Sequence, residues 1–325
     1  MAGYFILSPR RSLAIYPQKF LQAKFLFLMN VFTAPPLSIE EQIQLLQEKG
    51  LNIEPVDDLA HWLSHVSYFR LKHYTNRFKD FTKSNFIPNT KFSQVIDLYL
   101  FDRDLKFILF DAIETIEVSF KTVLSNSMAQ RFGAHWYMSR SCFLPKFDFD
   151  EFSSAIESEV KEADEAAIKH YRRSYDTPTL PPCWMIMEII SFGRMSKMFE
   201  HLGARDIKLN ICSKFNLPDT ILNNWLHCIN QLRNRCAHHG RIVYRSTAKT
   251  IIFPSRKKHQ FVNDIDSIDP NSLYATVCCI LHLINKIQPG SKFKSNLLQL
   301  INSHPEIDCE HMGFTENWRN EAIWL

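Results

Sequence analysis

The sequence predicts an all-α protein, and three features of its composition and pattern support this prediction. Apolar residues recur at intervals of three and four along most of the chain, as they do on one face of a helix. Glycine is scarce, with 8 residues in 325, while Phe alone accounts for 26. Runs of alternating β-branched residues between turn signals, which mark strands, do not recur. Because 46% of the residues are hydrophobic and 22% are charged, we expect a globular protein with a sizeable core.

Two helices are predicted before residue 90. In "SIEEQIQLLQEKG", Ser38 and Glu41 form a capping box, and Gly50 marks the end of the helix. The stretch "PVDDLAHWLSHVSYFRLKHYTNRF" predicts a second helix, whose apolar residues recur at three and four: Leu59, Leu63, Val66 and Phe69. We assign residues 29–90 to an N-terminal helical lobe.

A long amphipathic helix is predicted from Phe92 to Arg131. Its apolar stripe consists of Ile96, Leu100, Leu105, Leu109, Ile113, Ile116 and Phe120. A charged helix follows over residues 150–175, and the proline-rich "YDTPTLPP" is a rigid connector. Three further helices are predicted in "CWMIMEIISFGRMSKMFEHL", "DTILNNWLHCINQLRNRCAHH" and "SLYATVCCILHLINKI". We assign residues 91–290 to a helical core and residues 291–325 to a short C-terminal cap.

The first 28 residues differ from the rest of the chain. They hold no acidic residue and four of the basic ones, Arg10, Arg11, Lys19 and Lys24. Lysines interrupt the apolar run and no small-residue cleavage site follows it, so the segment is poorly built as a secretory signal, and it is too short and too charged for a membrane span. We expect a disordered upstream extension before a natural start at Met29, the alternative being a basic, surface-seeking arm. Without these four residues, 34 basic side chains balance 34 acidic ones.

Cysteine usage indicates a cytoplasmic protein. The eight cysteines contain no C-x-x-C pair, so neither a disulfide framework nor a zinc ribbon is indicated. They are Cys142, Cys183, Cys212, Cys228, Cys236, Cys278, Cys279 and Cys309.

A segment without acidic residues lies between Asp219 and Asp264, and we call it the basic segment. Its positive charges are Arg233, Arg235, Arg241, Arg245, Lys249, Arg256, Lys257 and Lys258. Basic side chains neutralise phosphate, so the basic segment is a candidate contact surface for nucleic acid. Residues 148–165 have the opposite bias and read as a solvated helix face, or as a surface that repels RNA.

Within the basic segment, "QLRNRCAHHGRIVYR" combines paired histidines with four arginines. On a helix, Asn234 and His238 are four residues apart and share a face, and Arg233 lies at its shoulder. Arg241 is seven residues beyond Asn234 and extends the same face. These side chains can present imidazole, amide and guanidinium groups to one point, whereas His239 falls on another side.

This stretch also carries a family resemblance. "LRNRCAHHGR" resembles the R-x4-H signature of HEPN ribonucleases, and its wording is similar to that of bacterial Abi-like proteins of the AbiD/AbiF abortive infection family. Five more stretches resemble family landmarks in family order: "PPLSIEEQIQLLQEKGLNI", "VSYFRLKHYTNRF", "LYLFDRDLKFILFDAIETIEVSFKT", "MEIISFGRMSKMF" and "HPEIDCEHMGFTENWRNEAIW". The resemblance therefore runs from about Pro35 to the end. Two departures are Gly240, which can end the helix early, and "RIVYR", which replaces a more typical Trp-Asn.

The resemblance implies a dimeric, HEPN-like helical bundle that cuts RNA without metal or cofactor, as a phage-defence or toxin-antitoxin effector. RNA carries its own nucleophile, the 2'-hydroxyl, so such an enzyme needs only to move protons and stabilise the phosphorane. Histidine exchanges protons near neutral pH, which assigns His238 that role, and Arg233 then stabilises the phosphate, with Asn234 orienting the groups. The expected products are a 2',3'-cyclic phosphate and a 5'-hydroxyl. We expect an antitoxin, either a small structured RNA or a protein.

Two neighbours are assigned lesser roles. Glu188, in the family-like "MEIISFG", can hydrogen-bond Arg233 or His238, as a structural ion pair or as support for catalysis. His239 has the weaker claim of the paired histidines. A metal site built from Cys236 and the paired histidines would lack a fourth ligand, so we predict no metal.

Arg235, Arg241 and Arg245 are predicted to contact RNA, and ordinary surface charge is the alternative for the last two. Two other function classes stay open. One is a non-catalytic HEPN-like module that binds RNA through residues 233–258. The other is a structural interaction domain in which Arg233 and His238 complete a buried polar network.

Overall fold

The structure is a computed structural model that describes residues 35–80, 82, 85–255 and 261–325. Helices α1 to α12 are Ile39–Glu48, Val56–Val66, Tyr68–Thr75, Phe92–Phe132, Phe149–Glu162, Ala166–Ser174, Cys183–Ile189, Phe192–Glu200, Arg205–Lys214, Asp219–Ala237, Leu273–Ile287 and Phe293–Ser303. No β-strand occurs in these ranges, so the all-α prediction is confirmed. Residues 1–28 lie outside the described ranges, as do Arg256, Lys257 and Lys258 of the basic segment.

Helix α4 is the axis of the fold. At about 1.5 Å per residue its 41 residues span about 60 Å. Helices α3, α7, α10, α11 and α12 all pack against it. The predicted stripe faces the core, where the most deeply buried members are Leu105, Leu109, Ile113, Ile116 and Phe120. Elements on opposite sides of the molecule are therefore positioned relative to one another through α4.

The first helix begins as the sequence predicts. The hydroxyl of Ser38 accepts the backbone N–H of Glu41 at 3.2 Å, and the Glu41 carboxylate accepts the backbone N–H of Ser38 at 2.6 Å. The capping box is thus confirmed. The helix ends at Glu48, and Gly50 has a φ of 89°, which only glycine adopts without strain.

The sequence predicts that the second helix is a single element, and this prediction is wrong. The chain forms α2 and α3, which are separated at Ser67, where φ is 69° and ψ is 145°. The Ser67 hydroxyl accepts the backbone N–H of Arg70 at 3.4 Å and so starts α3. The change of direction also leaves Phe69, a member of the predicted stripe, 70% exposed. The hydrophobic period continues across the break and therefore conceals it.

Two other predicted helices are also divided. Residues 150–175 form α5 and α6, and "CWMIMEIISFGRMSKMFEHL" forms α7 and α8. The Ser191 hydroxyl accepts the backbone N–H of Arg194 at 3.2 Å, so a serine again caps the second helix of the pair. Helices α9 and α12 were not predicted. Helix α9 buries only a narrow apolar stripe with Ile207, Ile211 and Cys212, which gives a weak periodic signal.

A buried carboxylate joins α4 to the chain that follows the paired histidines. Asp102 is fully buried, and it accepts the backbone N–H groups of Ile242 and Val243 at 2.8 and 2.9 Å. It also accepts the hydroxyl of Tyr74 at 2.8 Å and pairs with the ammonium of Lys106 at 2.8 Å. The network raises the pKa of Tyr74, chiefly through burial and then through the charge of Asp102. These bonds fix residues 242–243 against both α4 and α3.

We expect Asp102→Ala to lower the free energy of unfolding by about 3–5 kcal/mol, because it leaves a largely buried ammonium and two backbone N–H groups without their acceptor. Urea denaturation followed by circular dichroism measures this loss. Asp104→Ala is the matched control, since Asp104 pairs with Arg103 at an exposed position and should change stability by less than about 1 kcal/mol. Equal losses in the two variants would contradict the anchoring role of Asp102.

Candidate active site beside the paired histidines

Helix α10 presents the R-x4-H signature at its C-terminal end. Asp219 lies in its first turn, where a carboxylate favours the positive end of the helix dipole. One face of the helix is buried through Leu222, Leu226, Ile229, Leu232 and Cys236. Arg233 lies next to this stripe and is 34% exposed, while Asn234 is exposed. The packing of the helix therefore places the signature at the border between core and solvent.

The paired histidines form the end of α10. His238 is the C-cap, and its backbone N–H donates to the carbonyl of Asn234 at 2.9 Å. The N–H groups of His239 and Gly240 donate to the carbonyls of Cys236 and Arg235 at 3.0 and 2.8 Å, which is the Schellman motif. His239 takes the left-handed position of that motif, with a φ of 55°, where glycine is the usual residue.

Gly240 is closely packed at this turn. A Cβ there would lie 3.0 Å from the Cγ of Arg235 and 3.3 Å from its carbonyl oxygen. The helix ends at Ala237, before Gly240, as the departure from the family pattern allows. The paired histidines consequently belong to a turn and not to a continuing helix, so the shared face expected for Asn234 and Arg241 does not extend past the C-cap.

Arg233 reaches α4. Its Nε lies 3.7 Å from Oε2 of Glu117, whose Oε1 pairs with the ammonium of Lys121 at 2.9 Å. The guanidinium carbon lies 5.7 Å from the centroid of the Phe110 ring, within range of a cation–π contact. The Nε group is itself buried and has no hydrogen-bond partner. Arg233 is therefore held near a carboxylate and a ring, and no hydrogen bond fixes its buried Nε.

A cavity of about 280 Å³ opens beside this arginine, and we call it the Arg233 cavity. Its lining residues are Phe110, Glu114, Glu117, Val118, Lys121, Met187, Glu188 and Arg233. Glu188, on α7, thus shares a cavity with Arg233. No hydrogen bond joins Glu188 to Arg233 or His238 among the described residues, so its role stays a prediction.

The structure does not bring Arg233 and His238 to one cavity within a single chain. The His238 side chain is exposed and lines neither the Arg233 cavity nor the larger cavity described below. Asn234 is also exposed, and its backbone carbonyl serves the helix cap. Their assignment to catalysis stays a prediction.

Two arginines connect the turn to α3 in a reciprocal way. Arg70 donates from Nη1 to the carbonyl of His239 at 2.8 Å, and Arg241 donates from Nη1 to the carbonyl of His73 at 2.8 Å. One of the arginines predicted to contact RNA therefore has a structural partner. Arg245 is exposed and Arg235 is half-buried, and burial lowers the pKa of Arg235, with Arg245 adding to the effect.

A second cavity, of about 610 Å³, lies on the other side of Phe110, and we call it the aromatic cavity. Its lining residues are Arg70, Tyr99, Arg103, Lys106, Phe107, Phe110, Cys236, Ala237 and His239. Burial raises the pKa of the Cys236 thiol to about 12, so this wall of the cavity carries a neutral thiol. Phe110 lines both cavities and separates them.

Sequence reasoning missed several members of this site, namely Arg70, Asp102, Phe110 and Lys121. Two signals were present. Glu117 and Lys121 are four apart on one helix, which favours an ion pair. Asp102 falls on the buried side of α4, between Leu98 and Leu105.

Neither a membrane helix nor a metal cluster is found in the described parts of the chain. None of the helices there is long and apolar enough to cross a membrane. No group of three or more His, Cys, Asp or Glu residues in the same ranges could hold a metal ion.

Comparison with known proteins identifies the family. A model of the family described as Abi-like protein matches residues 61–244, more than half of the chain, from α2 to the turn after the paired histidines. A search of curated proteins found no significant match, and neither did a search of solved structures. The family name refers to abortive infection, which links the chain to phage defence. The match confirms the resemblance to Abi-like proteins, and the chain belongs to the family of Abi-like proteins.

Proposed function

We propose that this protein is a metal-independent HEPN-type endoribonuclease that acts in abortive infection or as a toxin. The observation that carries the proposal is the R-x4-H signature at the border of core and solvent, with Arg233 beside a cavity and His238 exposed. The basic segment itself holds no carboxylate, and the carboxylate nearest to Arg233, that of Glu117 on α4, is already paired with Lys121. Membership in the Abi-like family supports the phage-defence setting.

The proposed reaction is transesterification within RNA. The 2'-oxygen attacks the adjacent phosphorus and its proton passes to a base, while the bond from phosphorus to the 5'-oxygen breaks and that oxygen gains a proton. His238 is assigned to proton transfer, and Arg233 to the charge that develops on the phosphoryl oxygens. Asn234 orients these groups. The reaction needs no metal because RNA supplies the nucleophile and a guanidinium supplies the positive charge.

A homodimer would bring together an Arg233 and a His238 that are separated within one chain. Two exposed apolar side chains lie near the Arg233 cavity: Val118, 58% exposed, lines it, and Trp184, 53% exposed, is one helical turn from Glu188. Aromatic and apolar side chains of this kind are typical of the centre of a protein interface. We propose that two copies meet here about a twofold axis, so that two signatures face one cleft.

Regulation follows from the proposed activity. A ribonuclease that halts the cell has to be restrained until infection, so we propose an antitoxin partner. A small structured RNA or a protein could fill this role. We expect it to contact those cations of the basic segment that have no ion-pair partner. Among the described cations of this segment, Arg235, Arg241, Arg245 and Lys249 make no ion pair, and Arg241 donates to the carbonyl of His73 instead.

His238→Ala should abolish RNA cleavage and cell toxicity, with a loss of at least about 100-fold, because general acid–base groups contribute roughly 10²–10⁴. The variant should keep its fold, since the side chain is exposed. His170→Ala, which removes an exposed histidine on α6, is the control and should cleave like the wild type. Gel assays with end-labelled RNA and growth curves after induction measure both effects. Wild-type toxicity in His238→Ala would refute the assignment.

Arg233→Ala separates catalysis from a purely structural role. Glu117 keeps Lys121 as a partner, so we expect stability to fall by only about 1 kcal/mol. Cleavage should fall by about 10²–10³, the loss seen when a donor to a developing oxyanion is removed. Thermal denaturation and cleavage rates on the same preparation give both numbers. A loss of stability of about 3–5 kcal/mol would instead support the structural network reading.

A further inference from the structure

The aromatic cavity has a chemistry that the proposed catalytic groups do not use. It is formed by the α4 face that runs from Tyr99 to Phe110, by Arg70 of α3 and by the turn that holds His239. Its volume of about 610 Å³ falls within the roughly 300–1,000 Å³ of sites that bind small molecules. A pocket of this size beside the signature can hold one nucleotide unit of a larger substrate.

Three aromatic side chains line one wall of the cavity. Tyr99, Phe107 and Phe110 are eight and three residues apart, so they follow one face of α4. Phe107 is 68% exposed, which is unusual for a side chain of its size. Tyr99 is held in place by edge contacts to Trp62 and Tyr74, with ring centroids 5.8 and 5.4 Å away. The wall is therefore a preformed surface on which a planar base can stack.

Positive charges alternate with these rings. Arg103 and Lys106 lie between Tyr99 and Phe107 on α4, and Arg70 of α3 also lines the cavity. The ammonium of Lys106 is paired with the buried Asp102, so Arg103 and Arg70 are the cations that can meet a phosphate. None of the residues that line the cavity is acidic. The pair of Arg103 with Asp104 is exposed and therefore weak, so a phosphate can compete for Arg103. Rings for bases and cations for phosphates are the combination that binds single-stranded nucleic acid.

We propose that the aromatic cavity binds one unpaired base of a single-stranded RNA, with its phosphate on Arg103 and Arg70, next to the bond that is cut. The proposal rests on the proposed ribonuclease function and deepens it by naming the substrate form. Phe110 provides the link, because its ring lines both cavities and lies 5.7 Å from the Arg233 guanidinium carbon. A base that enters the cavity must first leave its stack, so loops and single strands are selected over duplexes.

The experiment measures binding without cleavage. The full-length chain carries His238→Ala, and fluorescence anisotropy gives Kd for a labelled single-stranded RNA oligonucleotide and for an abasic ribose-phosphate oligomer of equal length. Phe107→Ala should weaken binding of the RNA by roughly 5- to 100-fold, the effect of losing one base–aromatic stack, and leave the abasic oligomer unchanged. Phe107→Tyr keeps the ring and should restore binding. Phe132→Ala is the matched control, since Phe132 is an exposed Phe at the far end of α4.

The outcomes separate this proposal from the ribonuclease function. If chains with an intact His238 cleave RNA and Phe107→Ala changes neither Kd nor cleavage rate, the subsite is refuted while the ribonuclease stands. An equal loss for RNA and abasic oligomer means that Phe107 does not stack on a base, which also overturns the subsite. Conversion of a dimer to a monomer by Phe107→Ala, seen by light scattering, assigns the cavity to a protein interface. A wild-type chain that neither cleaves nor binds RNA overturns both proposals.

Discussion

The carboxylate of Asp102 is the contact on which the geometry of the candidate site depends. Residues 242–243 have no regular secondary structure, and two of their backbone N–H groups end on this one buried side chain. Because an unpaired buried charge is costly, Asp102 must keep Lys106 and its other partners together, and this requirement selects one position for the chain after the paired histidines. Tyr74 brings α3 into the same network. A single acid on α4 therefore positions both sides of the aromatic cavity.

The turn between α10 and this anchor engages part of a dense group of cations in structural contacts. Arg241 is held by a carbonyl of α3, and Arg70 of α3 is held by the carbonyl of His239, so the two contacts close on each other. His239 accepts a left-handed backbone at the position where the helix ends. The cost of that conformation is offset by the two bonds of the Schellman motif and by the arginine contact to its carbonyl. His238, one residue earlier, is left exposed.

Local features of the chain could be predicted from sequence, whereas features that depend on distant contacts could not. The 41-residue α4 has an uninterrupted stripe, and the Ser38 capping box is confined to four residues, so both are visible in the sequence. The break at Ser67 lacks Pro or Gly, so no residue of the usual kind signals its positive φ. The Glu117 partner of Arg233 is on another helix, and the acceptor of Val243 lies still further away in sequence. Such pairs follow from the tertiary fold. The sequence therefore predicts the signature residues but not the residues that contact them.

Phe110 suggests how one face of α4 can serve two purposes at once. On one side of the ring lies the Arg233 cavity, with exposed Val118 nearby, and this is where a second copy would contribute its histidine. On the other side lies the aromatic cavity, whose cations and exposed Phe107 suit a nucleotide better than an apolar partner. In the proposed dimer, the base would therefore be recognised outside the interface and the bond cut within it.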